Sequence, residues 1–393
     1  MESALEGVIN HFAFSGEFIR GESLKCGNIN DTYITTFKGE NGQTNTYILQ
    51  RINHNVFKEP NNLMENVMAI TRHIRKKVIK EGGNPARETL NFVPTLDGKY
   101  IYKCKNGNYW RAYNYIDGVR TYQVAENPLH VYNAGKAFGR FQKLLSDFPA
   151  HNLHVTIPDF HHTPKRYKFF LDSVKNDAAG RVEKVKEEIE FVKERENKLP
   201  VLVDLLDSGE LPLRVTHNDT KFNNVLIDDI SGEGVCVIDL DTVMPGTSLY
   251  DFGDSIRSGA NTAEEDEKDL SKVSLDMVLF EEYTRGFLEM TYDFLNPVEI
   301  ENLPFSAILI TLELGMRFLT DYINGDVYFK TRYENHNLDR ARVQFKLAAD
   351  MEEKYNRMTE IVQKYVKKNR GKNLMHESKQ STKRESIRTY NLA

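Results

Sequence analysis

The sequence predicts an α+β protein of two lobes, a small strand-rich N-terminal lobe and a larger, mostly helical C-terminal lobe. Three observations lead there. The 393 residues are too many for one typical domain and suit two. The character of the chain changes from strand to helix after Asp117-Gly118. A polar loop, a hairpin and an apolar strand ending in Asp follow one another between the helical blocks. The expected division is residues 1–116, 117–370 and a basic polar tail, 371–393.

In the first part, Thr32 to Phe37 and Thr44 to Ile52 are β-branched and aromatic, around the Asn-Gly turn signal in Gly39-Glu40-Asn41-Gly42. A helix is expected from about Asn61 to Glu81, where Val67, Ile70, Ile74 and Ile79 recur at helical spacing. Gly82-Gly83-Asn84-Pro85 ends it. Short strands are expected near Leu90–Val93, Lys99–Lys103 and Tyr109–Tyr115, the last two joined through Lys105-Asn106-Gly107-Asn108.

Past Asp117, one helix face carries Ala134, Phe138, Phe141 and Leu145, with Gly135 and Gly139 placed to let a partner helix approach closely. Residues 181–198 read as a solvated amphipathic helix with the stripe Val182, Val185, Ile189 and Val192. A last long helix is expected from a cap at Asn337 to about Lys367. The tail, with Lys379, Lys383, Arg384 and Arg388, reads as frayed.

Composition excludes several functions. Lys+Arg is 52 against Asp+Glu 57, a net −5, so there is no global basic field for nucleic acid. No run is read as approaching the roughly 20 apolar residues of a membrane span. Met1 to Glu6 is acidic and lacks the apolar stretch of a signal peptide. Cys26, Cys104 and Cys236 are scattered, without metal-ligand spacing, and point to a reducing, cytoplasmic setting.

The chemistry sits in Thr216-His217-Asn218-Asp219-Thr220-Lys221-Phe222-Asn223-Asn224, followed by Val225-Leu226-Ile227, a turn at Ser231 to Gly234, and Val235 to Asp241. Phosphoryl transfer needs this inventory: one carboxylate to take the proton of an attacking hydroxyl, and an amide oxygen with a second carboxylate to hold Mg2+ against nucleotide phosphates. Asp219 fits the first task, Asn224 and Asp239 the second. Asp241 follows two residues later, as a second metal group, a support for the first, or a purely structural residue. His217 is expected to brace the loop backbone.

These residues resemble the aminoglycoside-phosphotransferase and choline-kinase superfamily, whose fold is protein-kinase-like and whose loop usually reads His-Gly-Asp where this chain has Asn218. Within it, Asn30-Asp31-Thr32-Tyr33, Leu49 to Asn53, Leu63 to Val67, His217 to Asn224, Val237 to Gly246, Asp251 to Asp254 and Arg317 to Tyr322 are similar to N-acetylhexosamine 1-kinases. The resemblance implies ATP and Mg2+ as cofactors and a small-molecule sugar acceptor contacted by Arg317 and Tyr328. It also puts Asn28 at a His position in an N-lobe loop that can reach the sugar. It implies Asp239 as the metal carboxylate and not Asp251, although Asp251-Phe252-Gly253 matches the protein-kinase metal motif; Asp251 and Asp254 are expected to brace the loop or cap a helix.

For the nucleotide, Cys26 to Thr32 would form the phosphate-covering loop, with Asn30 in contact, though its single Gly is a weak signal. The strand Tyr47 to Ile52 has no Lys. Gln50 and Arg51 face opposite sides, and Arg51 is preferred for the phosphates, with Glu65 as its ion-pair partner. Tyr113 to Asp117, including Tyr115, is the expected hinge for adenine. Two alternatives stand beside this reading: a kinase of another small alcohol, such as choline, an aminoglycoside or another hexose, and an inactive kinase fold that only binds. Glu264-Glu265-Asp266-Glu267 could serve a cationic acceptor but reads as a solvated loop or helix start.

Overall fold

The protein is described here by a computed structural model covering residues 2–24, 29–123 and 127–371. Asn28, Cys26 and the 372–393 part of the tail lie outside the described residues. The N-terminal lobe opens with helix α1 (Glu2–Ile9), strands β1 (Glu17–Leu24), β2 (Asp31–Lys38) and β3 (Thr44–Ile52), and helix α2 (Pro60–Lys80). Strands β4 (Phe92–Val93), β5 (Tyr102–Lys103) and β6 (Tyr109–Asn114) follow. They join one antiparallel sheet, ordered β1-β2-β3-β6-β4, with β5 paired to β6.

Alternation gives this sheet two different faces. Phe37, Tyr47, Leu49, Trp110 and Ala112 pack against Leu5, Val8 and Ile9 of α1 and against Phe12. Ile52 lies on the other side, in a cluster with Leu63, Met64, Val67, Ile70, Ile74 and Val78 of α2. That same cluster takes in Phe141, Leu144, Cys236, Leu240 and Val243, so α2 is apolar glue between the lobes. Val78, not the expected Ile79, completes the α2 stripe; Ile79 is exposed. Helix α1 was not expected, whereas β1 is the strand expected ahead of the Cys26 to Thr32 loop.

The chain crosses to the second lobe between β6 and β7 (Val119–Arg120), which pairs with β9 (Val225–Asp228). Helices α3 (Pro128–Leu144), α4 (Thr163–Asn176), α5 (Lys186–Lys193) and α6 (Val201–Asp207) precede β8 (Arg214–Thr216). After β9 come β10 (Gly234–Val237), β11 (Met244–Gly246), and helices α7 (Ser248–Gly259), α8 (Met277–Thr291), α9 (Pro297–Ile323) and α10 (His336–Glu353). Residues 355–371 are also helical.

Four expectations need correction. The charged stretch 181–198 is α5 flanked by single turns, not one helix, although Val185, Ile189 and Val192 are buried as its stripe requires. The strand carrying Asp239 stops at Val237, and Leu240–Thr242 is a turn, so Asp241 shares no strand face with Asp239. Asn337 is not a cap but lies inside α10, where its Nδ2 donates to Asp321 Oδ2 and Asp326 Oδ1, each at 2.9 Å. Finally, α9 is long and apolar enough to cross a membrane by length and composition; its apolar window is mostly buried inside the fold, as in a core helix.

Close approach of α3 and α8 depends on their glycines. A Cβ on Gly135 would lie 2.5 Å from the Tyr283 carbonyl oxygen, and one on Gly139 would lie 2.9 Å from that of Phe287. Both obstacles are backbone, so neither can swing aside. Gly135→Ala is therefore expected to lower stability by about 1–3 kcal/mol despite its better helix propensity. Thermal unfolding of the two proteins checks this; an unchanged midpoint would show that the helices separate at little cost.

Candidate active site

The catalytic-type loop runs from β8 to a single turn at Phe222–Asn224. Its backbone is held at nearly every residue. Asp251, on α7, accepts from His217 N at 3.0 Å and from Asn218 N at 2.8 Å, and also from Gln142 Nε2. Asp254, one turn later, accepts from Thr220 N at 2.8 Å. His217 is fully buried between the ring edges of Phe138 and Phe141. Its Nε2 meets Ile238 O at 2.9 Å, and Asp219 N donates to its Nδ1 at 3.3 Å. This pattern assigns the neutral tautomer with the proton on Nε2.

Asn218 occupies the position where the resembled loop has Gly, and its φ is +66°. That left-handed conformation favours Gly and tolerates Asn. Asn adds what Gly cannot: its Nδ2 donates to Thr216 O at 3.2 Å and Thr242 O at 2.8 Å.

Asp219 projects from this braced loop. Asn224 Nδ2 reaches its carbonyl at 2.8 Å and its Oδ2 at 3.2 Å, and Lys221 Nζ lies 2.8 Å from its Oδ1. Burial pushes the Asp219 carboxyl up, but the Lys221 charge and hydrogen bond outweigh it and hold the group below its usual value. Ile238 N donates to Asn224 O at 2.9 Å, which ties the end of the loop to the residue before Asp239. Asn224 and Asp239 are thereby fixed on neighbouring segments.

Asp239 itself has a left-handed φ of +58° and is exposed. The surrounding protein, then the charges of Asp241 and Asp219, push its carboxyl up to about 6. A carboxylate raised by neighbouring carboxylates is one that a dication would relieve. With Asn224 Nδ2 spent on Asp219, the amide Oδ1 remains for such an ion. Among the described residues there is no group of three or more His, Cys, Asp or Glu able to hold a metal alone. Two protein oxygens suit Mg2+, which usually completes its shell with water and substrate phosphates.

The N-lobe contribution differs from the expected one. Arg51 Nε donates to Asp31 Oδ2 at 2.6 Å, and the pair stands about half in solvent. Gln50 lies on the opposite face, toward α2 and the second lobe. Its Oε1 accepts from Arg111 Nε at 2.9 Å, and Arg111 is its direct partner on β6. Arg111 forms an ion pair with Asp241 in which both side chains are only 3% exposed. Asn30 Nδ2 donates to the other Asp241 oxygen at 2.6 Å, and Asn30 Oδ1 accepts from Asn53 N at 3.0 Å. With both oxygens held, Asp241 is a bridge between the lobes. Glu65 does not reach Arg51 or this pair; it is 67% exposed and meets His154 Nε2 at 2.7 Å. Its neighbour Met64 is the α2 residue at Arg111, with Sδ 3.8 Å from the guanidinium. Tyr115 is in the connection between the lobes, and its N–H donates to Thr46 O at 3.2 Å.

Arg317 lies on α9, with its guanidinium 5.3 Å from the Phe160 ring centre and 5.6 Å from that of Phe329. Tyr328 is exposed and meets Phe329 edge-on at 4.8 Å. The structure thus brings Arg317 and Tyr328 to one cluster. Sequence reasoning missed Arg111 and Lys221. A lone Arg inside the apolar strand Tyr109–Asn114 was the signal for the first, since Arg is rarely buried unpaired. The second stands two residues after Asp219.

Removing one partner of the buried pair strands the other charge. Arg111→Gln is expected to cost about 3–5 kcal/mol of stability, whereas Arg51→Ala is expected to cost under about 1 kcal/mol, as for an exposed pair. Chemical denaturation of both variants checks the contrast; similar losses would show that the buried pair has no special weight.

The family model described as "Phosphotransferase enzyme family" (APH) matches residues 21–272, well over half of the chain. Among solved structures, the microcompartment-associated aminopropanol kinase is similar at 15% identity and TM-score 0.61, over 91% of this chain and 99% of that one. The choline kinase of Cryptosporidium parvum Iowa II is similar at 13% identity and TM-score 0.55, over 93% and 99%. The ethanolamine kinase of Plasmodium vivax is similar at 14% identity and TM-score 0.51, over 82% and 80%. At such identities the likeness is one of fold, a β-rich lobe on a helical lobe in the protein-kinase manner. The chain belongs to the APH phosphotransferase enzyme family.

Proposed function

We propose that this protein is a small-molecule kinase that moves the γ-phosphoryl group of Mg-ATP to the anomeric hydroxyl of an N-acetylhexosamine, N-acetylglucosamine or N-acetylgalactosamine, giving the sugar 1-phosphate. The observation that carries the kinase part is the grouping of Asp219, Asn224 and Asp239 around a loop whose backbone is pinned by Asp251 and Asp254. Family membership supports the same reaction class. The structural neighbours are named for aminopropanol, choline and ethanolamine, which favours a small alcohol as acceptor. The sugar rests on the resemblance carried by both lobes, with Arg317 and Tyr328 in one cluster as its proposed contacts.

The reaction would be a direct in-line transfer without a covalent enzyme intermediate. Asp219 would orient the attacking hydroxyl and take its proton, held in place by Asn224. Lys221, now paired with Asp219, would put a positive charge where the transferring group passes. Asn224 and Asp239 would hold Mg2+, which when bound neutralises the phosphate charge. Arg111, and not Arg51, would supply the N-lobe cation nearest the metal turn. A kinase of amino alcohols is the second reading, favoured by the neighbours' names alone.

An ADP-release assay with Mg-ATP across hexoses, N-acetylhexosamines and choline, with phosphorus NMR of the product, tests the proposal. The expected product is an N-acetylhexosamine 1-phosphate; turnover of choline alone would sink the sugar reading. Asp219→Asn is expected to lose at least about a thousandfold in kcat with nucleotide affinity kept, as for a group acting mainly in the transition state. Asp239→Ala is expected to weaken Mg-ATP binding in titration calorimetry. Unaltered magnesium dependence in that variant would remove Asp239 from the metal site.

A further inference from the structure

Arg317 has an unspent set of donors. It makes no hydrogen bond and no ion pair with any described residue, and the rings of Phe160 and Phe329 flank it. A second guanidinium shares the same anchor: Arg166, on α4, donates from Nε and Nη2 to Phe160 O at 3.3 and 3.1 Å. It too has no carboxylate oxygen within ion-pair distance among the described residues. Burial and the charge of Arg317 both hold the Arg166 pKa below its usual value, so the two cations sense each other.

Of the two acids whose charge reaches Arg166, Asp159 is paired with Lys165 and Glu313 with His161. Glu313 sits one helical turn before Arg317 and is buried, with Oε1 on His161 Nδ1 at 3.0 Å. Its Oε2 and the buried His161 Nε2 have no hydrogen-bond partner. Buried polar atoms left without partners are costly, and these lie beside two guanidiniums that no carboxylate oxygen reaches at ion-pair distance among the described residues. The cluster adjoins the catalytic loop's support. His161 packs on Tyr250 at 4.7 Å between ring centres, and Tyr250 directly precedes Asp251, which holds His217 and Asn218. Upstream, Ile157 N donates to Met244 Sδ at 3.2 Å, on the strand after the Asp239–Asp241 turn.

We infer that Arg166 and Arg317 together form the specificity pair of the acceptor site, receiving an amide carbonyl or carboxylate oxygen of the acceptor and rejecting an acceptor that offers an ammonium group there. The inference rests on the kinase reading of the same site and adds to it a second residue, Arg166, and a rule of charge. Guanidinium donors match carbonyl and carboxylate lone pairs. An ammonium would meet two like charges and leave the donors unpaired.

The test uses matched acceptors with the full chain and Mg-ATP: N-acetylglucosamine against glucosamine, and N-acetylethanolamine against ethanolamine, each below neutral pH where the amines are charged. The acylated member of a pair is expected to have at least about a tenfold higher kcat/KM, the worth of one charge-assisted hydrogen bond. Arg166→Gln and Arg317→Gln should each raise KM for the acylated acceptor by about tenfold and collapse the preference, with kcat little changed and Mg-ATP affinity kept. Arg166→Lys should recover part of the preference. Equal use or preference of the charged amines overturns the inference, as does an equal loss on every acceptor in Arg166→Gln. Turnover of N-acetylethanolamine with no sugar used would keep the inference and discard the hexosamine reading. Equal use of both sugars would do the reverse. If none of the four is turned over, titration with acetate and with tetramethylammonium decides: acetate binding that Arg166→Gln abolishes supports the pair, and any other result overturns it.

Discussion

A buried carboxylate that accepts two successive backbone N–H groups is the constraint on which the site depends. Asp251 takes the amides of His217 and Asn218, and Asp254 takes that of Thr220, so one helix dictates the path of the loop on either side of Asp219. Burial pushes the Asp251 carboxyl up, while His217 and the loop amides oppose that shift. Each letter of Asp251-Phe252-Gly253 has a structural use. Phe252 is buried against Phe280, Tyr283 and Phe287. Gly253 lets α9 approach, since a Cβ there would lie 2.5 Å from Ser306 O. The resemblance to a protein-kinase metal motif is therefore accounted for by packing and loop support.

The second constraint links the lobes. Two ionised side chains taken out of water cost more than apolar ones filling the same space. Arg111 and Asp241 offset that with a hydrogen bond to Gln50 and one from Asn30, so that nearly every polar atom at the bridge has a partner. What the pair adds is geometric. It fastens β6, and through Asn30 the start of β2, to the turn that follows Asp239. On the proposed reading, a nucleotide held under the sheet would meet Asp239 at a distance from the sheet that is already set. A Lys on β3 with a helix Glu would do similar work; here the cation comes from the next strand and the anion from the turn after Asp239.

Local features were legible in the sequence, and features made by pairing were not. Asp219, Asn224 and Asp239 lie within one stretch of chain, where spacing and turn signals place them. The choice between Gln50 and Arg51 could not be made that way. Alternation says they face opposite sides, but only the pairing of β3 with β6 shows that the Gln50 side carries Arg111 and faces Asp241. Glu65 was missed by one position, because helical periodicity marks the buried stripe without saying which residue at its edge meets the cation. Asn337 has the residue type of a cap, yet its side chain is used by Asp321 and Asp326, which the sequence keeps at a distance.

The proposed acceptor site is the extreme of the same principle. Phe160, Arg166, Glu313, Arg317 and Tyr328 come from three segments that meet only in the folded chain. Nothing local distinguishes Arg166 from any other Arg on an amphipathic helix. Its meaning appears when the partners of every nearby charge are followed: Glu313 goes to His161, Lys165 goes to Asp159, and the two guanidiniums are left with aromatic rings and one carbonyl. A phosphoryl-transfer site of this fold needs the same few groups for the nucleotide whatever the acceptor. On the proposed reading, discrimination between acceptors draws on the net charge left there and its sign. That sign is positive beside α4 and α9, which argues for an acceptor that brings oxygen lone pairs and no positive charge of its own.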